Sequence, residues 1–349
     1  MNAVAPPESH GAAEVVRTYQ AWPGKNGIEL GFNFLTSKLK ASLDGNKLNM
    51  YVIFTSDVVR KKFCLGGRLI FGPGVGSLFL TLFLILAPAV VFCVFIARKL
   101  MDEFSGNWGI SILVVFIVYT VYVLVLLLLT SGRDPGIIPR NTRPPAPESL
   151  GANVEPGPGQ TASLPRTKDV VVDGVTVKVK YCETCMLYRP PRSSHCSICN
   201  NCVERFDHHC RWLGHCIGLR NYRFFFMFVF STTLLCLYGH AFCWVYIRRI
   251  MDSEKTSIWK AMTKTPASIA LIVYSLLALW FVGGLSVLHL YLISVNQSTY
   301  EKFRYHFSRH TNPFNKGIVK NFTEVFCSSI PESKINFRAK VQKKSGMPP

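Results

Sequence analysis

Charge is scarce in this 349-residue chain and acid scarcer still: charged residues make up 17% of it, with 20 Asp and Glu against 39 Lys and Arg. With 49% hydrophobic residues and a positive mean hydropathy, the composition points to a polytopic membrane protein rather than one soluble domain. Other absences narrow the field. The N-terminal region before the first long apolar stretch has no apolar core beside a small-residue cleavage site, so no cleavable signal peptide is expected and the first span is the expected targeting signal. The apolar stretches hold no carboxylate or lysine of the kind that transport uses, which argues against a transporter. No internal repeat stands out.

Four apolar segments approach the ~20 residues needed to cross a bilayer: about Gly76 to Ala97, Trp108 to Thr130, Phe224 to Ile247 and Ser268 to Val295. The net charge of +19 invites a nucleic-acid reading, but 32 of the 39 basic residues fall before the first span, between the second and third, or after the fourth, leaving 7 in the other two loops. The positive-inside rule then puts both termini and the long central loop in the cytosol. Basic stretches such as Arg60-Lys61-Lys62 read as contacts to anionic lipid, and no nucleic-acid partner is expected.

That central loop carries the densest chemistry. Between Cys182 and Cys216 lie seven cysteines and four histidines. Cytosolic thiols stay reduced, so the cluster reads as metal-binding or catalytic rather than disulfide-paired. The spacings Cys182-x2-Cys185 and Cys196-x2-Cys199-x2-Cys202, with His195 between and His208-His209 after, suit tetrahedral zinc. Eight ligands fill two such sites, and three of the eleven candidates are left over. Asp207-His208-His209-Cys210 sets an acid, two imidazoles and a thiol side by side, the elements of an activated cysteine nucleophile.

Around this core, the Pro- and Gly-rich stretch from Pro139 to Pro165 reads as a linker, and Val170 to Lys180 as a small hairpin turning at Asp173-Gly174. The chain resembles the zinc-finger DHHC-type protein S-acyltransferases, or palmitoyltransferases, and plant members in particular. The likeness rests on Asp134-Pro135-Gly136, the cysteine-rich run, Asn221-Tyr222, Ser298-Thr299-Tyr300-Glu301 as a version of a TTxE motif, and Asn312-Pro313-Phe314-Asn315 through Asn321.

The resemblance implies an α-helical polytopic membrane protein. Its expected parts are a cytosolic N-terminal region (1–74), spans one and two (75–130), a DPG motif and linker (131–180), a cysteine-rich zinc domain of small β-hairpins (181–223), spans three and four (224–295) and a cytosolic C-terminal region (296–349). It implies two structural zinc ions, one on Cys182, Cys185, His195 and Cys202, the other on Cys196, Cys199, His209 and Cys216. Cys210 is then the nucleophile, His208 its base and Asp207 the carboxylate orienting the base. Asp134, Pro135, Gly136, Thr299, Glu301 and Asn321 support the site, and Arg189 and Arg192 are candidates to contact CoA phosphates.

The implied reaction moves a long-chain acyl group from acyl-CoA, such as palmitoyl-CoA, through an acyl-enzyme to cytosolic cysteines of membrane-associated proteins. The expected location is the Golgi, endoplasmic reticulum or plasma membrane. The competing reading is a catalytically silent zinc-containing membrane scaffold, which needs the metal ligands but not a free thiol and base.

Three departures stand out: Arg211 where Pro is usual after the nucleophile, His215 with no family role, and Ser298 for the first Thr of TTxE. The stretch from about Gly27 to Arg60 looks like an insertion after Tyr19-Gln20-Ala21-Trp22. His240 and His289, inside spans, read as neutral imidazoles bonded to a neighbouring helix.

Overall fold

The computed structural model describes residues 62–64, 67–104, 107–145, 165–305 and 312–337. The Tyr19–Trp22 segment, the insertion and most of the linker lie outside them. Among the described residues four helices are long and apolar enough to cross a membrane: Val75–Glu103, Trp108–Gly132, Tyr222–Glu254 and Pro266–Ser294. A spanning helix satisfies every backbone donor within itself, which hydrocarbon demands. The third runs seven residues past the apolar stretch ending at Ile247, because Arg248, Arg249 and Asp252 continue the helix where polar side chains reach water.

Large apolar residues cover the outside of the bundle, among them Phe79, Phe83, Val118 and Leu277, while Phe92, Leu127, Cys243 and Ile247 are buried inside it. Lipid is as apolar as these side chains, so small residues and hydrogen bonds decide how helices pack. A Cβ on Gly109 would stand 2.4 Å from the Met101 backbone, so spans one and two meet tightly at their turn. Tyr238 donates to the Ile112 carbonyl at 3.0 Å and Tyr274 to the Leu84 carbonyl at 2.6 Å. His240 Nδ1 lies 2.8 Å from Ser275 Oγ on the neighbouring span, as expected of it. Spans one and four each contain a π-helical stretch, Phe92–Ala97 and Leu279–Gly283; the first follows Pro88, which cannot donate to the helical ladder.

Among the described residues ten short strands form the polar side. β1 (Lys62–Cys64) pairs with β2 (Leu69–Phe71), and β3 (Ile137–Ile138) pairs with β8 (Asn201–Val203), which also pairs with β7 (Ser194–Cys196). β4 (Thr167–Val172) and β5 (Val175–Cys182) form the hairpin read from the sequence, its turn made by Asp173 and Gly174, both at positive φ. β5 continues to β6 (Leu187–Tyr188), and β9 (His208–Cys210) pairs with β10 (His215–Ile217).

The β9–β10 turn is clamped to the entry of span one. Gly74 N–H donates to the Gly214 carbonyl at 3.3 Å, and Thr81 Oγ1 donates to the Trp212 carbonyl at 2.8 Å. Gly214 has φ +61°, and a Cβ there would lie 2.1 Å from the Gly74 carbonyl oxygen. Gly214→Ala is therefore expected to destabilise the protein by at least about 1–2 kcal/mol from the left-handed backbone alone, with the clash added. Thermal unfolding in detergent, compared with Gly283→Ala where the nearest side-chain contact is 3.7 Å, checks this.

Candidate functional site

Two Cys3His clusters brace the polar side. Cys182, Cys185, His195 and Cys202 bring their ligand atoms within 4.8 Å of one another, as do Cys196, Cys199, His209 and Cys216. A tetrahedral ion with sulfur at ~2.3 Å and nitrogen at ~2.0–2.1 Å separates N from S by about 3.6 Å. His195 Nδ1 lies 3.6, 3.4 and 3.8 Å from its three sulfurs, and His209 Nδ1 lies 3.7, 3.4 and 3.7 Å from its own. The donor sets fit two structural zinc ions. Thiols this close also oppose each other's ionisation. Hydrogen bonds with Cys185 and the other sulfur hold Cys182 far below the usual thiol range, while those with Cys182 and Cys185 hold Cys202 far above it. A dication at the centre lets all three ionise.

The two clusters are copies. Each ligand of the second follows its counterpart by 14 residues, so a repeat is present where the sequence reading found none. The copies share backbone detail: Met186, Asn200 and Gly214, also 14 apart, all have positive φ at the turn before β6, β8 and β10. The interleaving hid the period, because the second copy begins before the first has closed.

In this repeat the β9–β10 hairpin differs from β7–β8 by carrying His208 and Cys210 beside its metal ligands. Its face bearing His209 and Cys216 belongs to the metal cluster, and His208 and Cys210 alternate to the other face. Asp207 is 1% exposed and its Oδ2 accepts from His208 Nδ1 at 2.6 Å. A carboxylate only accepts, so the Nδ1 proton is fixed and Nε2 is left as the ring's acceptor, on the strand face that also carries Cys210. Burial alone pushes His208 down, but its bonds and charge coupling to Asp207 and Cys210 outweigh this and raise it to about 10. Burial likewise pushes Asp207 up, and His208 and the Thr299 amide bring it down to about 2.

Asp207 is held from the other side by Thr299, whose amide reaches Oδ1 and whose hydroxyl reaches Oδ2, both at 2.8 Å. Thr299 starts the helix Thr299–Tyr305, where Ser298 and Glu301 form a capping box: Ser298 Oγ accepts from Glu301 N at 3.1 Å, and Glu301 Oε2 from Ser298 N at 2.8 Å. Serine serves here as well as threonine. Glu301 also takes Nε and Nη2 of Arg192, each at 2.8 Å, and Asn296 takes Nη1 of Arg192 at 2.9 Å. A CoA phosphate would have to compete with Glu301 for Arg192, so that arginine works as a clasp between the metal domain and span four. Arg189 instead lines a groove beside it.

Asp134 Oδ1 accepts from the amides of Gly136 and Ile137, and Oδ2 from Arg220 at 2.7 Å, with Gly136 at φ +105° beyond Pro135. Asn221 ties Gly218, Cys216 and Thr130 together at the head of span three. Asn321 bonds the Ser294 carbonyl and Asn315, closing the C-terminal loop under span four. His215, fully buried opposite Cys210 in the hairpin, donates from Nε2 to the Arg133 carbonyl at 3.2 Å. Arg211 is exposed at the mouth of a cavity.

That cavity, about 600 Å3 and almost wholly apolar, begins at His208, Cys210 and Trp212 and extends between the spans to Phe92, Phe116 and Leu235. Phe225 and Phe228 line it, whereas Phe226 stacks on Phe230 and packs against Phe326, so the aromatic run divides between cavity and helix packing. Sequence reading gave Tyr222 no role beyond the Asn221-Tyr222 motif; its hydroxyl lies 3.1 Å from His289 Nδ1, the bond to a neighbouring helix expected of that histidine. His289 packs in turn against His208, with ring centroids 6.2 Å apart. The signal was the histidine inside a span, but nothing in the sequence says which residues it faces.

Four spanning-length helices, two Cys3His clusters, and a cysteine and a histidine lining an apolar cavity with an aspartate bonded behind the histidine define a multi-pass membrane protein with a zinc-knuckle domain. Residues 176–306 match the DHHC palmitoyltransferase family. The chain is 66% identical over 289 residues to "Probable protein S-acyltransferase 7" of Arabidopsis thaliana, covering 82% of this chain and 65% of that protein. It is 55% identical over 341 residues to "Probable protein S-acyltransferase 5" of the same plant, covering 97% and 64%, and 65% identical over 286 residues to "Probable protein S-acyltransferase 6", covering 82% and 70%. The chain thus belongs to the DHHC palmitoyltransferase family, and spans a little under two thirds of the length of the first two relatives.

Two outcomes follow from the geometry. Elemental analysis is expected to find two zinc ions per chain, falling to about one in Cys185→Ser, which leaves the second cluster whole. The Asp207–His208 bond also makes stability depend on pH. Asp207 lies below its ordinary 3.8, so its contribution is present above that value and is lost as pH falls through about 2. His208 lies above its ordinary 6.5, so its contribution is complete below that value and is lost as pH rises through about 10. Thermal stability attributable to the pair, read as wild type minus His208→Ala, should be greatest between those two ordinary values.

Proposed function

We propose that the chain is a protein S-acyltransferase that moves a long-chain acyl group, palmitoyl foremost, from acyl-CoA to cysteine thiols of membrane-associated proteins. The observation that carries this is the Asp207–His208 hydrogen bond of 2.6 Å set beside Cys210 at the mouth of an apolar cavity. In this reading Cys210 gives its proton to His208 Nε2, and Asp207 stabilises the imidazolium that forms. The thiolate attacks the thioester carbonyl, a new thioester forms on Cys210 as the carbon–sulfur bond to CoA breaks, and the CoA thiolate leaves with the proton that His208 held. His208, neutral again, then receives the proton of the substrate cysteine, whose sulfur attacks the acyl-enzyme carbonyl and expels the Cys210 thiolate, which recovers that proton from His208.

Zinc, when bound, supplies no reacting atom and fixes the strands that present Cys210. The acyl chain gains about 0.8 kcal/mol for each CH2 buried in the cavity, which favours long chains. Thr299 and Glu301 support the site by holding Asp207 and Arg192, while Asp134, Pro135, Gly136 and Asn321 hold the segments on either side. The excess of basic residues on one side of the spans supports a cytosolic zinc domain and cytosolic termini. The endomembranes or the plasma membrane are the proposed location.

Purified protein incubated with an alkyne-tagged palmitoyl-CoA is expected to acquire a hydroxylamine-sensitive label on Cys210 that Cys210→Ser lacks. Equal labelling of that variant would overturn the role of Cys210. Thr299→Val removes the hydroxyl contact to Asp207 and keeps the amide contact, and is expected to slow loading by about ten- to a hundredfold with both zinc ions retained.

A further inference from the structure

β5 has an open edge. Along one side it pairs with β4 from Val175 to Lys180, but on the other it meets β6 only at Tyr181 and Cys182. Tyr181 N–H donates to Arg166 on the β4 side, whereas the Lys180 carbonyl accepts from Arg189 N–H on the β6 side, both at 2.9 Å. Backbone groups of successive strand residues alternate between edges. Thr176 and Lys178 therefore turn their N–H and C=O the same way as Lys180, and among the described residues no strand pairs with them there.

A groove of about 260 Å3 runs along that edge. Every residue from Val175 to Lys180 lines it, which happens only when a strand presents its edge rather than one face. Pro190, Pro191, Tyr300 and Phe314 contribute to the rest of the wall.

The charges choose the occupant. Lys178, Lys180 and Arg189 line the groove, and among the described residues no carboxylate pairs with any of them. The one acid in the wall, Glu301, is already neutralised by Arg192. Arg189 Nε and Ser193 Oγ are buried in the same wall with no protein partner. A free strand edge takes an extended chain, and a cationic edge selects one rich in Asp and Glu.

We propose that this groove binds an extended acidic segment of a partner protein, which adds to β5 as a further strand. What the segment is for rests on the acyl-transfer reading: Tyr300, in the groove wall, directly follows the residue that holds Asp207 and donates its N–H to the Asp207 carbonyl at 3.1 Å. An acidic stretch near the target cysteine of a substrate is thereby docked behind the reactive hairpin.

The test measures fluorescence anisotropy of a labelled peptide that alternates Glu and Val ahead of one Cys, and of its counterpart with Lys for Glu. The full chain is held in phosphatidylcholine nanodiscs, whose neutral surface adds no charge preference. The Glu peptide is expected to bind at least about tenfold tighter, or about 1.4 kcal/mol. Lys178→Glu with Lys180→Glu should abolish or invert that preference. Thr176→Pro removes an outward N–H without touching the β4 ladder and should weaken both peptides. Equal binding of the two peptides, or a preference that survives the charge reversal, overturns the proposal. So does a charge reversal that leaves peptide binding intact but lowers palmitoyl loading of Cys210, which assigns the groove to acyl-CoA. Failure of Cys210 to load in the unsubstituted protein sinks the transfer reading and leaves the peptide preference to be judged by itself.

Discussion

The Asp207 carboxylate is the contact on which the site depends. Buried to 1% exposure, it is charged at any ordinary pH, and a buried charge is tolerated only when fully paired. Its partners come from two places far apart in sequence. His208 is its neighbour, and Thr299 lies beyond span four and reaches both oxygens. The backbone adds two more ties, Asp207 N–H to Ile217 and Tyr300 N–H to the Asp207 carbonyl. Satisfying one carboxylate thus requires the β9–β10 hairpin and the segment after the fourth span to meet in one arrangement.

Rigidity around that meeting point comes from the metal knuckles. Strands of two or three residues have too little ladder to hold a geometry alone. Each knuckle instead crosslinks positions up to 20 residues apart, from Cys182 to Cys202 and from Cys196 to Cys216, and the interleaving makes the two crosslinks share the β7–β8 segment. The second knuckle spends one face of β9–β10 on metal ligands, which leaves the opposite face for His208 and Cys210. A metal ligand can therefore alternate with the imidazole and the thiol of the cavity wall within His208-His209-Cys210.

Much of this was legible in the sequence because it depends on local spacing. The four spans follow from apolar length, the β4–β5 hairpin from an Asp-Gly turn between alternating valines, and the ligand sets from Cys-x2-Cys spacing with the resemblance to fix the pairing. What escaped was long-range geometry. Nothing local says that Tyr222 faces His289, that Arg192 closes on Glu301 across 109 positions, or that Gly72 and Gly74 press on Gly214. The 14-residue repeat was present in the spacing but concealed by overlap.

His215 shows how such a contact gives meaning to a residue that composition leaves unexplained. It stands opposite Cys210 in the β9–β10 register, yet its Nε2 is turned to the Arg133 carbonyl at the end of span two. A carbonyl at a helix terminus has no partner in its own helix and must find one elsewhere when buried. The imidazole supplies it, so this histidine anchors the hairpin to span two, as Thr81 anchors it to span one and Thr299 to the end of span four. Cys210 is thus positioned by spans one and two and by the segment that follows span four rather than by its own loop, and a shift in any of them must move it relative to the cavity it lines.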